Sequence, residues 1–441
     1  MKDQLTLFSP LNDTEETNPS NLYKGKPRLK CAVRNQVEMT MYSLDDLLPK
    51  QHLARDIWQY VETLDLNCAL KQIQSVQGSA GRSAVDPKIY LSLWIYGTIK
   101  GIGSARLLAD NCLMHSVYKW ICGGVSVNYH SLSDFRVLHG ELFDQLLTES
   151  IGTLAAANII SLETVSQDGM RVRASAGASS FKREETLQFN LQLAEMLVAD
   201  LKEEVQKASG ACKTRIEAAQ LRAAEEKERN IKRALAELED IRKNKIKAGK
   251  KEQRQVKEED LKKARASITD PDARVMKMPD QGFRPAYNVQ YVTTNIGKAI
   301  IGVDVTKSGS DQKQTLRMIQ QVEKRYNLVP NKWLQDGGYN NKDEYEKFVK
   351  VYKNCKIYMP AKETTKENDS EAMKELRERM ETDEAKELYK ERSSTAEYSN
   401  AQARNHGLIR FSVRGIDKVR NVALLFALAH NIEIILRSYC G

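Results

Sequence analysis

Two short stretches constrain this chain more than any others: V-S-Q-D-G-M-R-V-R-A-S at 165–175 and W-L-Q-D-G-G-Y at 333–339. Each is an apolar, β-prone run that ends on an aspartate followed at once by glycine. An acid at the end of a strand sits at the carboxyl edge of a sheet, where α/β folds hold ligands. An Asp-Gly pair can also make a plain turn, and that reading stands for Asp168 and for Asp336 taken singly. Taken together, two close carboxylates repel unless a cation or a proton lies between them. Glu397, in S-T-A-E-Y-S-N, lies in a later helical stretch. A helical glutamate is ordinarily a solvated charge, but with the pair it would complete a three-carboxylate set. Hard carboxylate oxygens suit Mg²⁺ or Mn²⁺, and paired ions suit phosphoryl transfer.

Charge indicates the partner class. Across 441 residues the net charge is +9, and a basic excess favours polyanionic partners through counterion release. No basic amphipathic anchor or long apolar segment is read in the chain, which argues against a membrane surface. The start M-K-D-Q-L-T-L-F-S-P has no signal-peptide core. Cysteines 31, 68, 112, 122, 212, 355 and 440 are scattered, with no C-x-x-C. This supports neither a zinc ribbon nor a disulfide framework and points to reduced, cytoplasmic thiols.

Periodicity divides the chain. Residues 1–29 read as a flexible tail. Residues 30–160 read as an all-helical domain, with a capped start at Ser43 and helices near 52–64, 86–100, 103–113, 115–122 and 131–157. Asp86-Pro87 is an acceptor before a proline at the first helical position. Residues 161–181 begin a catalytic domain with a strand pair or a bent strand. Residues 182–267 carry apolar stripes (Leu187, Leu191, Ala194, Leu197, Leu201, Val205; then Ile216, Ile231, Leu235, Leu238, Ile241) broken at Ser209-Gly210, which predicts a long helical hairpin. Its segment 242–254 is basic and reads either as a solvated helix end or as a phosphate contact. Residues 268–441 complete the catalytic domain. Strands are expected at 285–294, 299–306, 331–336 and 356–360, and helices near 311–326, 341–353, 362–390, 391–406 and 416–437. This order predicts an α/β fold: a mixed five-stranded sheet with helices, laid out as an RNase H-like core that is split after its first strand. In that layout the first and fourth strands are neighbours, which would bring Asp168 and Asp336 to one edge.

Further residues cluster near the acids. Tyr389, Arg392, Glu397 and Arg404 recur along one helix, with Glu397 and Arg404 seven apart on one face. Arg171 and Arg173 follow Asp168 and either contact phosphate or pair with local acids. Tyr339 either packs beside the site or touches DNA. His130, His406 and His430 read as structural, Trp94 and Trp120 as helical core, and Asp270, Asp272 and Arg274 carry no assigned role.

With these motifs in place, the chain resembles bacterial insertion-sequence transposases of the DDE type, in the RNase H and integrase superfamily. The likeness spans residues 35–437. It rests on S-L-D-D-L-L-P (43–49), L-W-I-Y-G-T-I-K-G-I-G-S-A-R (93–106), W-I-C-G-G-V-S-V-N-Y-H-S-L-S-D-F-R (120–136) and S-Q-D-G-M-R-V-R-A (166–174), and further on D-G-G-Y (336–339), E-R-S-S-T-A-E (391–397), R-F-S-V-R-G (410–415) and A-L-A-H-N (427–431). The resemblance implies that Asp168, Asp336 and Glu397 are the catalytic and metal-binding acids, holding two Mg²⁺ or Mn²⁺ ions. It implies DNA contacts from Tyr389, Arg392 and Arg404, the last standing where relatives carry lysine. It also implies terminal inverted repeats and target DNA as partners, and a homodimer in the active complex. Relatives often have a cysteine-rich stretch before the glutamate. The charged helix 365–390 stands there instead, so no zinc is expected.

Overall fold

The computed structural model describes residues 41–73, 75, 83–207, 211–251, 258–361 and 369–440. The tail expected at 1–29, the Ser209-Gly210 break, positions 252–254 of the basic segment and 362–368 of the expected helix lie outside them. The chain divides into Met1–Tyr42 and Ser43–Gly441, and every helix and strand named here belongs to the second unit.

Ser43 opens the unit with a capping box: its hydroxyl accepts from the Asp46 N–H, and Asp46 accepts from the Ser43 N–H at 2.9 Å. The capped element is only one 3₁₀ turn, Leu44–Leu47, because Pro49 drives Leu48 into an extended conformation. The helices α1 (Leu53–Glu62), α2 (Asn67–Leu70), α3 (Pro87–Ile99), α4 (Ala105–Met114), α5 (Ser116–Cys122), α6 (Tyr129–Leu138) and α7 (Gly140–Ala156) come next. Asp86 caps α3, accepting from the Lys88 N–H at 2.8 Å with Pro87 at the first helical position. The single helix expected over 131–157 is two. Asn421 stands where a Cβ on residue 140 would go, and its Nδ2 donates to the Val137 carbonyl at 2.8 Å. It thereby satisfies one of the last carbonyls of α6, and the chain turns there.

The first strand, β1 (Thr164–Arg173), runs unbroken through Asp168-Gly169, so Asp168 does not end a strand as the sequence suggested. After β1 come β2 (Phe181–Lys182), α8 (Glu184–Lys207), α9 (Ala211–Lys251), α10 (Glu258–Lys262) and β3 (Ala266–Ser267). β2 and β3 pair as a two-stranded ribbon at the base of the α8–α9 hairpin and add nothing to the main sheet. Leu187, Ala194, Ile231, Ala234 and Leu238 form the hairpin's own core, while Leu197 and Ile216, expected on the stripes, are exposed. The hairpin does not stand free. Arg233 pairs with Asp272 at 2.8 Å, and Glu237 pairs with Lys307 at 2.5 Å and with Arg274. In the basic segment, Arg242 pairs with Glu184 at 2.7 Å, and Lys245 donates to the Asp260 carbonyl at 3.3 Å.

The remaining elements are β4 (Arg274–Lys277), β5 (Phe283–Thr294), β6 (Ile300–Thr306), α11 (Thr315–Tyr326), β7 (Lys332–Leu334), α12 (Lys342–Val351), β8 (Lys356–Tyr358), α13 (Glu371–Glu381), α14 (Asp383–Asn405) and α15 (Ile416–Cys440). The protein is mixed α/β. Its main sheet runs β6-β5-β1-β7-β8, with β1, β7 and β8 parallel and β5 antiparallel to both β1 and β6. A sixth strand, β4, shares the outer edge of β5 with β6; its R-V-M-K was not read as a strand. The polar stretch before 391 and the helix after it are continuous in α14, which starts where Thr382 breaks from α13 and caps Ala385 at 3.2 Å.

Strand alternation gives the sheet two buried faces. Met170, Val172, Tyr291, Val303 and Val305 share a core with α3, α6, α7 and α15. Val165, Val292, Ile301 and Trp333 pack with α11, α12 and α13. The amino-terminal helices are therefore built onto the sheet. α15 is long and apolar enough to cross a membrane by length and composition, contrary to the expectation that no such segment exists. Its apolar window is 78% buried inside the fold, since a helix enclosed on all sides is apolar all round. The A-L-A-H-N motif locks it in place. Asn431 accepts from the Ile300 N–H and donates to the Ile300 carbonyl, both at 2.9 Å, pairing with the end of β6 as another strand would. His430 bonds the Lys298 carbonyl at 2.9 Å.

Asn431→Ala leaves two buried backbone groups of Ile300 without partners. Urea unfolding should show a loss on the order of 3 kcal/mol; a loss within error of zero would mean that this clamp does not hold α15 to β6.

Candidate active site

Asp168 reaches an edge although its strand continues. β7 pairs only with Thr164–Ser166 and stops at Leu334, while β5 pairs with β1 as far as Arg173. The parallel half of the sheet thus ends just before Asp168. Asp336, two residues beyond β7, caps a 3₁₀ turn at Gly337–Tyr339 by accepting from the Gly338 N–H at 2.8 Å. Both motifs read Gln-Asp-Gly, and the two glutamines explain their alignment. Gln335 Nε2 donates to Gln167 Oε1 at 2.7 Å, and the Trp333 indole donates to the same oxygen at 3.0 Å. Gln167 in turn donates to Gln290 at 3.0 Å, which also accepts the Tyr339 hydroxyl at 2.5 Å.

Arg392 of α14 lies between the acids, 3.6 Å from Asp168 Oδ1 and 3.9 Å from Asp336 Oδ2. Asp168 Oδ1 also accepts from the Gly169 N–H at 2.9 Å, and its Oδ2 accepts from Asn400 Nδ2 at 2.8 Å. Burial pushes the Asp168 carboxyl up to about 6; Arg392 and the Gly169 N–H oppose the rise, and the charges of Asp336 and Asp311 add to it. Asp311 is a further acid near Asp168. Asn288 and Gln290 donate to its Oδ1 at 2.7 and 2.8 Å, and Arg171 lies 3.9 Å from its Oδ2. It also explains Gly169, because a Cβ there would run into Asp311 Oδ1 and Gln290 Nε2.

The other expected residues are spread more widely. Glu397 is on the exposed side of α14, accepting from the Ser393 hydroxyl at 2.9 Å. The side turned to the acids carries Arg392 and Asn400, so the structure joins Asp168 to Asp336 and leaves Glu397 apart. Among the described residues no three Asp, Glu, His or Cys side chains stand together as a metal cluster. Tyr389 is half-buried beneath Arg392, whose guanidinium lies 5.9 Å from its ring. Tyr339 is buried and spends its hydroxyl on Gln290. It packs under the site. Arg171 pairs with Asp311 and donates to the Gly309 carbonyl at 2.8 Å; Arg173 and Arg404 are exposed. Asp270 accepts the Tyr287 hydroxyl at 2.7 Å, and Asp272 pairs with Lys307 at 2.6 Å, so both acids are structural anchors. Sequence reasoning missed Asp311 and Asn400. Asp311 lies in a polar loop with no motif of its own, and Asn400 differs from its polar neighbours only by its rotation about the helix.

The donor chemistry fits a divalent cation. Two carboxylates converge on one positive charge, and the buried Asn400 Oδ1 has no partner among the described residues. Hard oxygens of this kind suit Mg²⁺ or Mn²⁺.

Two family models match the chain. One, described as "Transposase domain (DUF772)", covers residues 42–138. The other, described as "Transposase DDE domain", covers 338–436; it takes in Glu397 and Arg404 and begins just after Asp336. No curated protein and no solved structure matches. The two matches together indicate an insertion-sequence transposase of the DDE type.

The raised Asp168 carboxyl has a measurable consequence. A folded-state value of about 6 against an ordinary 3.8 means that the folded protein holds the proton more tightly. The associated stability is complete below 3.8 and is lost as pH rises through 6, to the extent of about 3 kcal/mol. In metal-free buffer, Asp168→Asn should melt above the wild type at pH 8, with the gap closing toward pH 4. A gap independent of pH would show that Asp168 is not held in this way.

Proposed function

We propose that this protein is a DNA transposase with an RNase H-like catalytic unit. In this reading it binds the terminal inverted repeats of an insertion sequence, cleaves the element ends by metal-dependent hydrolysis, and joins the freed 3′-hydroxyls to target DNA. One observation carries the reading: Asp168 and Asp336, from neighbouring parallel strands, converge on a single cation position. The strand order β6-β5-β1-β7-β8, with β5 antiparallel to the other four strands, supports the RNase H-like assignment.

The residues divide the work. Asp168 and Asp336 would hold a pair of Mg²⁺ or Mn²⁺ ions, which when bound would supply activation of the attacking oxygen and stabilisation of the leaving one. Arg392 supplies the positive charge between the acids in the free protein and is a proposed phosphate contact. Glu397 is the proposed third acid. It lies on the helix that already touches Asp168, and a single serine hydroxyl holds it. Arg404, further along that helix, offers a planar fork to the scissile strand. Exposed Arg173 and half-buried Tyr389 are the remaining proposed DNA contacts, whereas Arg171 steadies Asp311. The helices over 43–156 would bind the inverted repeats, and the active complex would be a homodimer acting in the cytoplasm. A second reading, a transposase-derived DNA-binding protein without catalysis, is favoured by one observation: Glu397 stands apart from the aspartates.

Cleavage of DNA carrying the element ends tests the choice. Asp168→Ala, Asp336→Ala and Glu397→Ala should each abolish metal-dependent cleavage and leave end binding intact. Arg404→Ala should slow single-turnover cleavage, with Arg404→Lys retaining more. Normal cleavage by Asp336→Ala would sink the catalytic reading. Cleavage without joining in a strand-transfer assay would leave a nuclease.

A further inference from the structure

Asn400 is 6% exposed, and its amide is used at one end only. Nδ2 donates to Asp168 Oδ2 at 2.8 Å, whereas Oδ1 has no hydrogen-bond partner among the described residues. Buried polar atoms are nearly always paired, and leaving a carbonyl unpaired costs about 1–3 kcal/mol. Turning the amide over does not help, because it would set Oδ1 against the Asp168 carboxylate, where neither group can donate. Moving the helix is no remedy either, since α14 is held to β5 by the Ser399–Thr293 hydroxyl pair at 2.9 Å. Asn431 shows what a purely structural asparagine does in this fold. It too is buried, and it satisfies both ends, with Ile300 and with Ser150.

We propose that Asn400 is a further cation-binding residue of this site: its Nδ2 orients Asp168, and its Oδ1 is an oxygen ligand for the divalent ion that Asp168 and Asp336 hold. The inference rests on the proposed metal site. An amide carbonyl is a hard oxygen of the kind such ions take. Both ends of the amide hang from one carbon, so Oδ1 lies beside the carboxylate that Nδ2 positions. A bound ion would satisfy the orphan atom.

The test is Mn²⁺ binding to the full chain without DNA, followed by water-proton relaxation, with Asp168→Ala as the control for site-specific binding. Asn400→Ala should weaken Mn²⁺ binding about 10- to 100-fold, the usual effect of losing a group that binds or orients a metal ligand. Asn400→Asp loses the Nδ2 donor but keeps an oxygen at that position, and should bind more tightly than Asn400→Ala. Circular dichroism confirms that each variant is folded. Unchanged Mn²⁺ affinity in Asn400→Ala, or loss in Asn400→Asp equal to that in Asn400→Ala, would overturn the ligand role. If wild-type protein shows no Mn²⁺ binding that Asp168→Ala removes, the metal-site reading itself fails, and this proposal with it.

Discussion

The hydrogen bond between Gln167 and Gln335 is the constraint on which the rest of the site depends. Side chains alternate along a strand, so each Gln-Asp-Gly motif sends its glutamine to one face and its aspartate away from it. The two glutamines meet under the sheet, sealed by Trp333, Thr315 and Tyr339. Amides buried without water must find partners, so a slip of β7 against β1 would break several bonds at once. With that register held, the acids next to the glutamines cannot avoid one another. The polar ladder beneath thus fixes the separation of the charges over it.

Holding two carboxylates together needs positive charge, and Arg392 provides it from outside the sheet. Its helix is placed by contacts of a different kind: Ser399 on Thr293 and Asn400 on Asp168. The arrangement suits a site that exchanges cations. A guanidinium more than 3.5 Å from either acid neutralises without the short bidentate geometry of a permanent ion pair. Asp168, buried and raised toward neutrality, has the most to gain from a stronger positive charge.

The other large parts hold the sheet steady. α15 fills the space between the sheet and the amino-terminal helices, and Asn431 and Asn421 tie it to β6 and α6. The α8–α9 hairpin enters and leaves through the β2–β3 ribbon, and its ion pairs with Asp272, Arg274 and Lys307 brace the outer edge of β5 and β6. Asp270 and Asp272 also receive the backbone N–H groups of Gly415 and Ile416 at the start of α15, both at 3.1 Å. The insertion and the carboxyl-terminal helix therefore meet at one pair of acids.

Much of this was legible in the chain, for a physical reason. Whereas the pairing of Asp168 with Asp336 is expected from the strand order of the layout, most of the strands, much of the hairpin's apolar stripes and the α3 cap derive from periodicities and neighbours a few residues apart. Those are properties of local geometry, and a sequence displays them directly. What the sequence left open depends on how far an element runs or how it is rotated. Whether β1 ends at Asp168 was decided by where β7 stops. Whether 131–157 is one helix was decided by Asn421, almost three hundred residues away. Each residue along α14 turns the helix by 100°, and packing against β5 chose the turn that shows Arg392 and Asn400 to the acids and Glu397 to solvent. Asp311 joined the site through a loop whose path no pattern announces. Residue types and spacing by themselves marked out Asp168, Asp336 and Glu397; the tertiary structure decided that Arg392 and Asn400 stand beside the two aspartates, because rotation and termination are set by partners distant in the chain.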